Sequence, residues 1–266
     1  MDLQLSEKTT LVTGSTAGIG RAIAARLASE GARVIVNGRS QDSVDAAVAE
    51  LTAELTGETG GMLVGFAGDL STAEAAEQLF AAHPAVDVLV NNLGIFEATP
   101  FEKITDEDWT RFFTVNVLSG VRLARLYLPG MRQRDWGRIL FISSESGIQI
   151  PTEMVHYGMT KTAQLAVSRG LAETVAGTGI TVNSVLPGPT KSRGVVDFID
   201  GLGEGGASEA EVEKQFFEEA RPTSLIKRFA EPEEVASLVA YLASPLASAT
   251  TGAAVRVDGG IVKSCF

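Results

Sequence analysis

Cysteine is all but absent from this chain: among 266 residues only Cys265, next to the C-terminus, carries a thiol. That excludes an internal disulfide framework and fits a reducing compartment. Histidine is almost as scarce, and the two present, His83 and His156, stand far apart, so the sequence offers no evident metal cluster. Positive charge is in deficit. With 22 Lys and Arg against 33 Asp and Glu the formal net charge is -11, which argues against nucleic acid, because phosphate backbones are held by clustered cations. Long apolar runs are missing as well. Nothing approaches the ~20 residues of a membrane-spanning helix, and the opening Met1-Asp2-Leu3-Gln4-Leu5-Ser6-Glu7-Lys8 carries charge where a signal peptide needs apolar residues. The expectation is a soluble, cytoplasmic protein with no membrane or nucleic-acid partner.

What is present is a 45% hydrophobic content, enough for a substantial core. Chains of this length and class commonly form one unit, so residues 1–266 are expected to fold as a single domain. Short β-branched runs alternate with longer alanine-rich amphipathic segments, the rhythm of a parallel sheet covered by helices. The strand candidates are Thr9–Thr13, Arg33–Asn37, Met62–Gly65, Val86–Asn91, Arg138–Ser143, Thr181–Leu186 and Ala254–Val257. Helices are expected at Gly20–Glu30, Asp42–Thr56, Thr72–Ala82, Thr105–Arg134, Val155–Ala176 and Pro232–Ala243. The fold class that follows is α/β, a doubly wound Rossmann-type sheet of seven parallel strands with helices on both faces. One stretch breaks the rhythm. Residues 191–222 contain Gly201-Leu202-Gly203-Glu204-Gly205-Gly206, then a capping-box pattern from Ser208 to Glu211. Its apolar residues Val195, Val196, Phe198, Phe216 and Phe217 need something to cover, which suggests a substrate lid.

The turn after the first strand reads Thr13-Gly14-Ser15-Thr16-Ala17-Gly18-Ile19-Gly20 and opens the first helix. In that context glycines let backbone N–H groups approach a pyrophosphate. The second strand ends in Asn37-Gly38-Arg39-Ser40, without the acid that would read the ribose hydroxyls of NAD. Arg39 is placed instead to pair with the 2′-phosphate of NADP, while Asn37 could serve either cofactor, so NADP is favoured and NAD is the alternative. Asp69, before Leu70 after the third strand, is placed to accept from the adenine amino group or to cap the next helix.

Tyr157 and Lys161, four residues apart on a candidate helix, share one face. A phenol titrates near ~10 unaided and exchanges protons at neutral pH only where its phenolate is stabilised, as by a neighbouring cation. With the glycine turn, Asn91-Asn92-Leu93-Gly94, Asn116 in Val115-Asn116-Val117, and Ile142-Ser143-Ser144 followed by Gly147, the chain resembles the short-chain dehydrogenase/reductase family over nearly its whole length. Leu93 departs from the family's alanine and should slightly reshape the wall near the cofactor. The resemblance implies four catalytic residues. Tyr157 would give a proton to a carbonyl oxygen or take one from an alcohol; Lys161 would lower the phenol's pKa and hold the nicotinamide ribose. Ser144, thirteen residues before the tyrosine, would polarise the carbonyl, leaving Ser143 a structural hydroxyl. Asn116 would hold a water through a local distortion of its helix, linking Lys161 to solvent, and no metal is required. The same resemblance implies cofactor contacts at Gly14, Ser15, Thr16, Gly18, Ile19, Gly20, Asn92, Gly94, Pro187, Gly188, Thr190 and Ser192, besides Tyr157 and Lys161. It also implies a homotetramer.

Family reductases of ketoacyl groups carry arginines that dock an acidic carrier protein; at the closest positions this chain has Asp135 and Thr178, although Arg132, Arg134 and Arg138 could compensate. A small free carbonyl or alcohol is preferred, with the carrier-bound 3-ketoacyl thioester as the alternative. Glu145 directly after Ser144 is unusual and could recognise a polar substrate or face solvent. His156 points about 100° away from Tyr157 and reads as a packing residue. An NADP-binding sensor without turnover is opposed by the complete set of Ser144, Tyr157 and Lys161. Epimerase or dehydratase chemistry is opposed by the glycine spacing and the lack of a larger C-terminal substrate domain.

Overall fold

The structure, a computed structural model, describes residues 2–55, 60–191 and 208–265. Strands β1 (Thr9–Val12), β2 (Arg33–Gly38), β3 (Leu63–Ala67), β4 (Val88–Asn91), β5 (Gly137–Ile142), β6 (Ile180–Pro187) and β7 (Ala254–Val257) form one sheet in the order 3-2-1-4-5-6-7. Every pairing is parallel. The expected fold class is therefore observed, with strand boundaries moved by no more than about two residues, the usual uncertainty of element ends. β5 and β6 are buried at every position, because both faces of a parallel sheet are covered.

The period of two along each strand sorts side chains between two cores. Val34, Val36, Val88 and Val90 enter a cluster with Ile23 and Leu27 of α1 (Gly18–Ser29) and Val235 and Val239 of the helix Pro232–Ala243. Ile35, Leu89 and Ile139 point the other way, toward Leu79 of α3 (Ala73–Ala82) and Leu123 of α5 (Ser119–Arg134). Each fully buried aliphatic side chain of this kind contributes ~1.5–3 kcal/mol. α2 (Gln41–Glu54) and α6 (Val155–Thr174) complete the covering layers.

Capping follows the sequence closely. Thr105 caps α4 (Asp106–Phe113) in a reciprocal box with Asp108, and Ser208 does the same with Glu211 for α7 (Glu209–Glu219). Glu231 caps α8 (Pro232–Ala243). The expected helix Thr105–Arg134 carries the local distortion expected at Asn116: residues Thr114–Leu118 form a π-helical turn between α4 and α5. Of the segment 191–222, the glycine run, Val195, Val196 and Phe198 lie outside the described residues, as does Ser192. Among the described residues, no helix is long and apolar enough to cross a membrane.

Arg138 corrects one expectation. Its side chain is 1% exposed, stacked 4.6 Å from the Trp136 ring centre and bonded to the carbonyls of Gly137, Gly179 and Ser244. It has no surface with which to dock a carrier. Arg132 and Arg134 stay exposed, each with one bond to a backbone carbonyl, of Thr174 and of Val86.

Candidate active site

Chain order reverses between β1 and β4, which leaves a crevice beyond their carboxyl ends, the place where open α/β sheets bind ligands. A cleft of about 750 Å³ lies there, within the range of small-molecule sites. Gly18, Ile19, Gly20, Asn92, Gly94, Ser144, Tyr157, Lys161, Pro187, Gly188 and Thr190 all line it.

Its floor is the glycine turn. Gly14 has φ +61°, open to glycine at little cost, and a Cβ on Gly20 would stand 2.5 Å from Asn92 Nδ2 and closer still to the Gly14 carbonyl oxygen. Asn92 Nδ2 donates to the carbonyls of Thr13 and Gly14 at 2.9 and 3.0 Å, tying the turn to the end of β4. α1 begins at Gly18 without a side-chain cap and without an acid in its first turn. Its free N–H groups and positive dipole end suit a phosphate, so the residues present fit a dinucleotide.

Four of the residues expected to touch the cofactor are also engaged within the protein. Asn37 is buried, accepting from Gly14 N and donating to the Phe66 and Gly68 carbonyls, so it clamps the turn to β3. Ser15 is fully buried, its hydroxyl donating to the Val12 carbonyl and accepting from Asn37 N. Leu70 packs into the second core, which leaves only its backbone available, and Asp69 accepts from Ser71 N in a local turn. Arg39 is exposed at the end of β2, and Thr16 lies against Gly38 beside it.

Tyr157 and Lys161 lie side by side in the cleft. Lys161 Nζ sits 5.5 Å from the Tyr157 ring centre and donates to the Ile142 carbonyl at 2.9 Å. Ser143 donates to the Lys161 carbonyl at 2.9 Å, the structural part expected of it. The π-helical turn falls on Asn116, whose amide brackets Ile95 N and O at 2.8 and 3.0 Å and reaches Thr160 Oγ1 at 2.9 Å. The Asn116 carbonyl, freed from the regular ladder, accepts from Gln164 Nε2 at 2.6 Å. His156 is 1% exposed and its ring lies 3.9 Å from that of Phe112, so it packs.

Sequence reading missed Arg221, at the end of α7. Its guanidinium reaches Glu145 Oε1 at 3.4 Å and Glu153 Oε1 at 3.2 Å, and stands over Phe216. Glu145 is buried, and the Ser144 hydroxyl donates to its Oε2 while accepting from Ser146 N at 3.1 Å. Gln164 carried a signal that could have been used: three residues after Lys161 on the same helix, it had to face the same way. Arg221 carried none, since 76 residues separate it from Glu145.

Burial sets the electrostatics. It brings Lys161 from 10.5 down to about 8, against a smaller opposing pull from Glu145. Burial also pushes the Tyr157 phenol well above its ordinary value, and Glu145 adds to that, while Ser144 and Arg221 pull it back. The expected depression of the phenol is thus opposed by burial and by Glu145.

A family model described as enoyl-(acyl carrier protein) reductase, within the short-chain dehydrogenase/reductases, matches residues 14–262. The chain belongs to the short-chain dehydrogenase/reductase family. This family member is 50% identical over 267 residues to an uncharacterized oxidoreductase, YvaG, of Bacillus subtilis, covering 100% of both chains. It is 34% identical over 263 residues to the 3-oxoacyl-[acyl-carrier-protein] reductase FabG of Aquifex aeolicus, covering 98% of this chain and 100% of that one. Among solved structures, it superposes with TM-score 0.90 and 32% identity on the L-sorbose reductase of Gluconobacter frateurii complexed with NADPH and L-sorbose, over 99% of this chain and 100% of the other. The protein is an oxidoreductase of this family.

Proposed function

We propose that the protein transfers a hydride between NADP(H) and a small carbonyl or alcohol, with Tyr157 exchanging the proton. The observation that carries this reading is the convergence of Ser144, Tyr157 and Lys161 with the uncapped start of α1 on one cleft. NADPH supplies the hydride when bound. The Gly14–Gly20 turn and the first turn of α1 hold its pyrophosphate, and Arg39 takes the 2′-phosphate, as no acid stands at the end of β2 to prefer NAD. Tyr157 passes its hydroxyl proton to the carbonyl oxygen as the carbonyl carbon is reduced, and Ser144 orients that oxygen. Lys161 holds the ribose and, with Asn116 at the π-helical turn, leads toward solvent for proton resupply.

The chain is proposed to work as a single domain in which Phe216 and Arg221 wall the substrate side of the cleft. A carrier-bound ketoacyl thioester is favoured by the likeness to FabG, but burial of Arg138 removes one of the cations that would steer an acidic carrier. The likeness to a reductase complexed with L-sorbose supports a small free substrate.

The test is a panel of carbonyls and alcohols with both cofactors, followed at the absorbance of reduced nicotinamide. Tyr157→Phe should lower turnover ~10²–10⁴-fold with the melting temperature unchanged. Undiminished turnover in that variant would refute the assignment.

A further inference from the structure

A serine hydroxyl has one proton, and in this structure the proton of Ser144 is already given to Glu145 Oε2. To bond a substrate carbonyl, the hydroxyl must turn away from Glu145, whose carboxylate is 4% exposed and lines the same cleft as Ser144 and Tyr157. The other carboxylate oxygen keeps only the 3.4 Å contact from Arg221 Nε, and Arg221 is itself shared with Glu153. A buried carboxylate that loses a donor without replacement is penalised. A substrate that brings its own donor next to the carbonyl removes the penalty: its carbonyl takes the Ser144 proton and its donor takes the vacated Glu145 oxygen.

We propose, resting on the carbonyl-reductase reading above, that Glu145 is the specificity-determining residue of this site and selects substrates bearing a hydroxyl on the carbon next to the reacting carbonyl. The exchange leaves every donor and acceptor paired: Ser144 to carbonyl oxygen, substrate hydroxyl to Glu145 Oε2, Arg221 to Oε1. Arg221 supplies the positive charge that lets a carboxylate stay in so enclosed a place, and its position at the end of α7 ties that helix to the substrate's polar end. An apolar ketone of the same size gives Glu145 nothing.

The experiment compares kcat/KM for hydroxyacetone and butan-2-one, which differ by a hydroxyl against a methyl, with NADPH as reductant and butane-2,3-dione as a reactive reference without a hydroxyl. In the wild-type protein hydroxyacetone should be preferred about 10- to 100-fold, the size of a hydrogen bond to a charged group. In Glu145→Ala that preference should fall to within about threefold of unity, with butan-2-one gaining and hydroxyacetone losing, because Ser144 is released. A parallel fall for both ketones in that variant, or no preference in the wild type, overturns the proposal. Glu145→Gln, which keeps an acceptor oxygen in nearly the same volume, decides the matter where the alanine variant fails to fold: a reduced preference supports the proposal and an unchanged one overturns it. Reduction of butane-2,3-dione without a preference for hydroxyacetone sinks selection by Glu145 and leaves hydride transfer standing. No reduction of any carbonyl by a protein that binds NADPH, read by its fluorescence, overturns both.

Discussion

Lys161→Met should leave the fold as stable as the wild type, or more so, at neutral pH while removing the activity. The lysine is 4% exposed, and burial lowers its pKa from 10.5 to about 8. Between those values the unfolded chain holds a proton that the folded chain has lost, so stability rises with pH across that window. Below about 8 the folded state carries the full cost of a buried charge, about 3 kcal/mol at ~1.4 kcal/mol per pKa unit; above 10.5 the cost is gone. The methionine variant removes the titration and the cost together. It also gives up the ammonium's bond to the Ile142 carbonyl, worth about 1.5–3 kcal/mol, so the net change near neutral pH is about 0–1.5 kcal/mol in the variant's favour. The pH dependence is the sharper test. From about pH 7 to about pH 9.5 the wild type should gain about 2 kcal/mol relative to Lys161→Met. Urea unfolding followed by Trp109 and Trp136 fluorescence at both pH values measures it. If the two proteins' stabilities run parallel with pH, Lys161 is not held at a depressed pKa and the electrostatic account of the site is wrong.

Two further outcomes are expected. Arg39→Ala should weaken NADPH binding by about 1.5–3 kcal/mol and leave NADH nearly unaffected, as read by nicotinamide fluorescence titration; equal losses would show that Arg39 reads no phosphate. Gly20→Ala should lower stability by about 1–3 kcal/mol through overpacking and weaken both cofactors alike, since the added Cβ would collide with Asn92 and the Gly14 carbonyl. Wild-type melting and binding in that variant would mean the turn yields more easily than its contacts imply.

Much of this was legible in one dimension because parallel strands and capped helices write locally. Thr105 and Ser208 announce their helices within four residues, and the alternation of Val34, Ile35 and Val36 between two cores is the strand period itself. The π-helical turn at Asn116 left no trace in the apolar pattern, since one extra residue shifts the face by about 100° and the flanking runs absorb it. The structural part of Asn37 was hidden for a different reason. An amide at a strand end can serve a ligand or the backbone, and only the positions of Gly14, Phe66 and Gly68, from three separate segments, show that the backbone takes it. Arg221 was invisible because its partners are set by tertiary folding.

The small cluster beneath α7 has a consequence for how the molecule opens. Val212, Phe217 and Phe229 form a core apart from the two that flank the sheet, and Phe216 packs against it from the cleft side. Breaking that cluster frees α7 without disturbing the buried faces of the strands. Hydrogen exchange should therefore divide the chain into two tiers: amides of α7 that open at low free energy, and amides of β1, β4 and β5 that exchange only when the whole protein unfolds. Access to the site and survival of the fold then become separately adjustable, and a substitution at Phe217 would change how often the door swings without weakening the house.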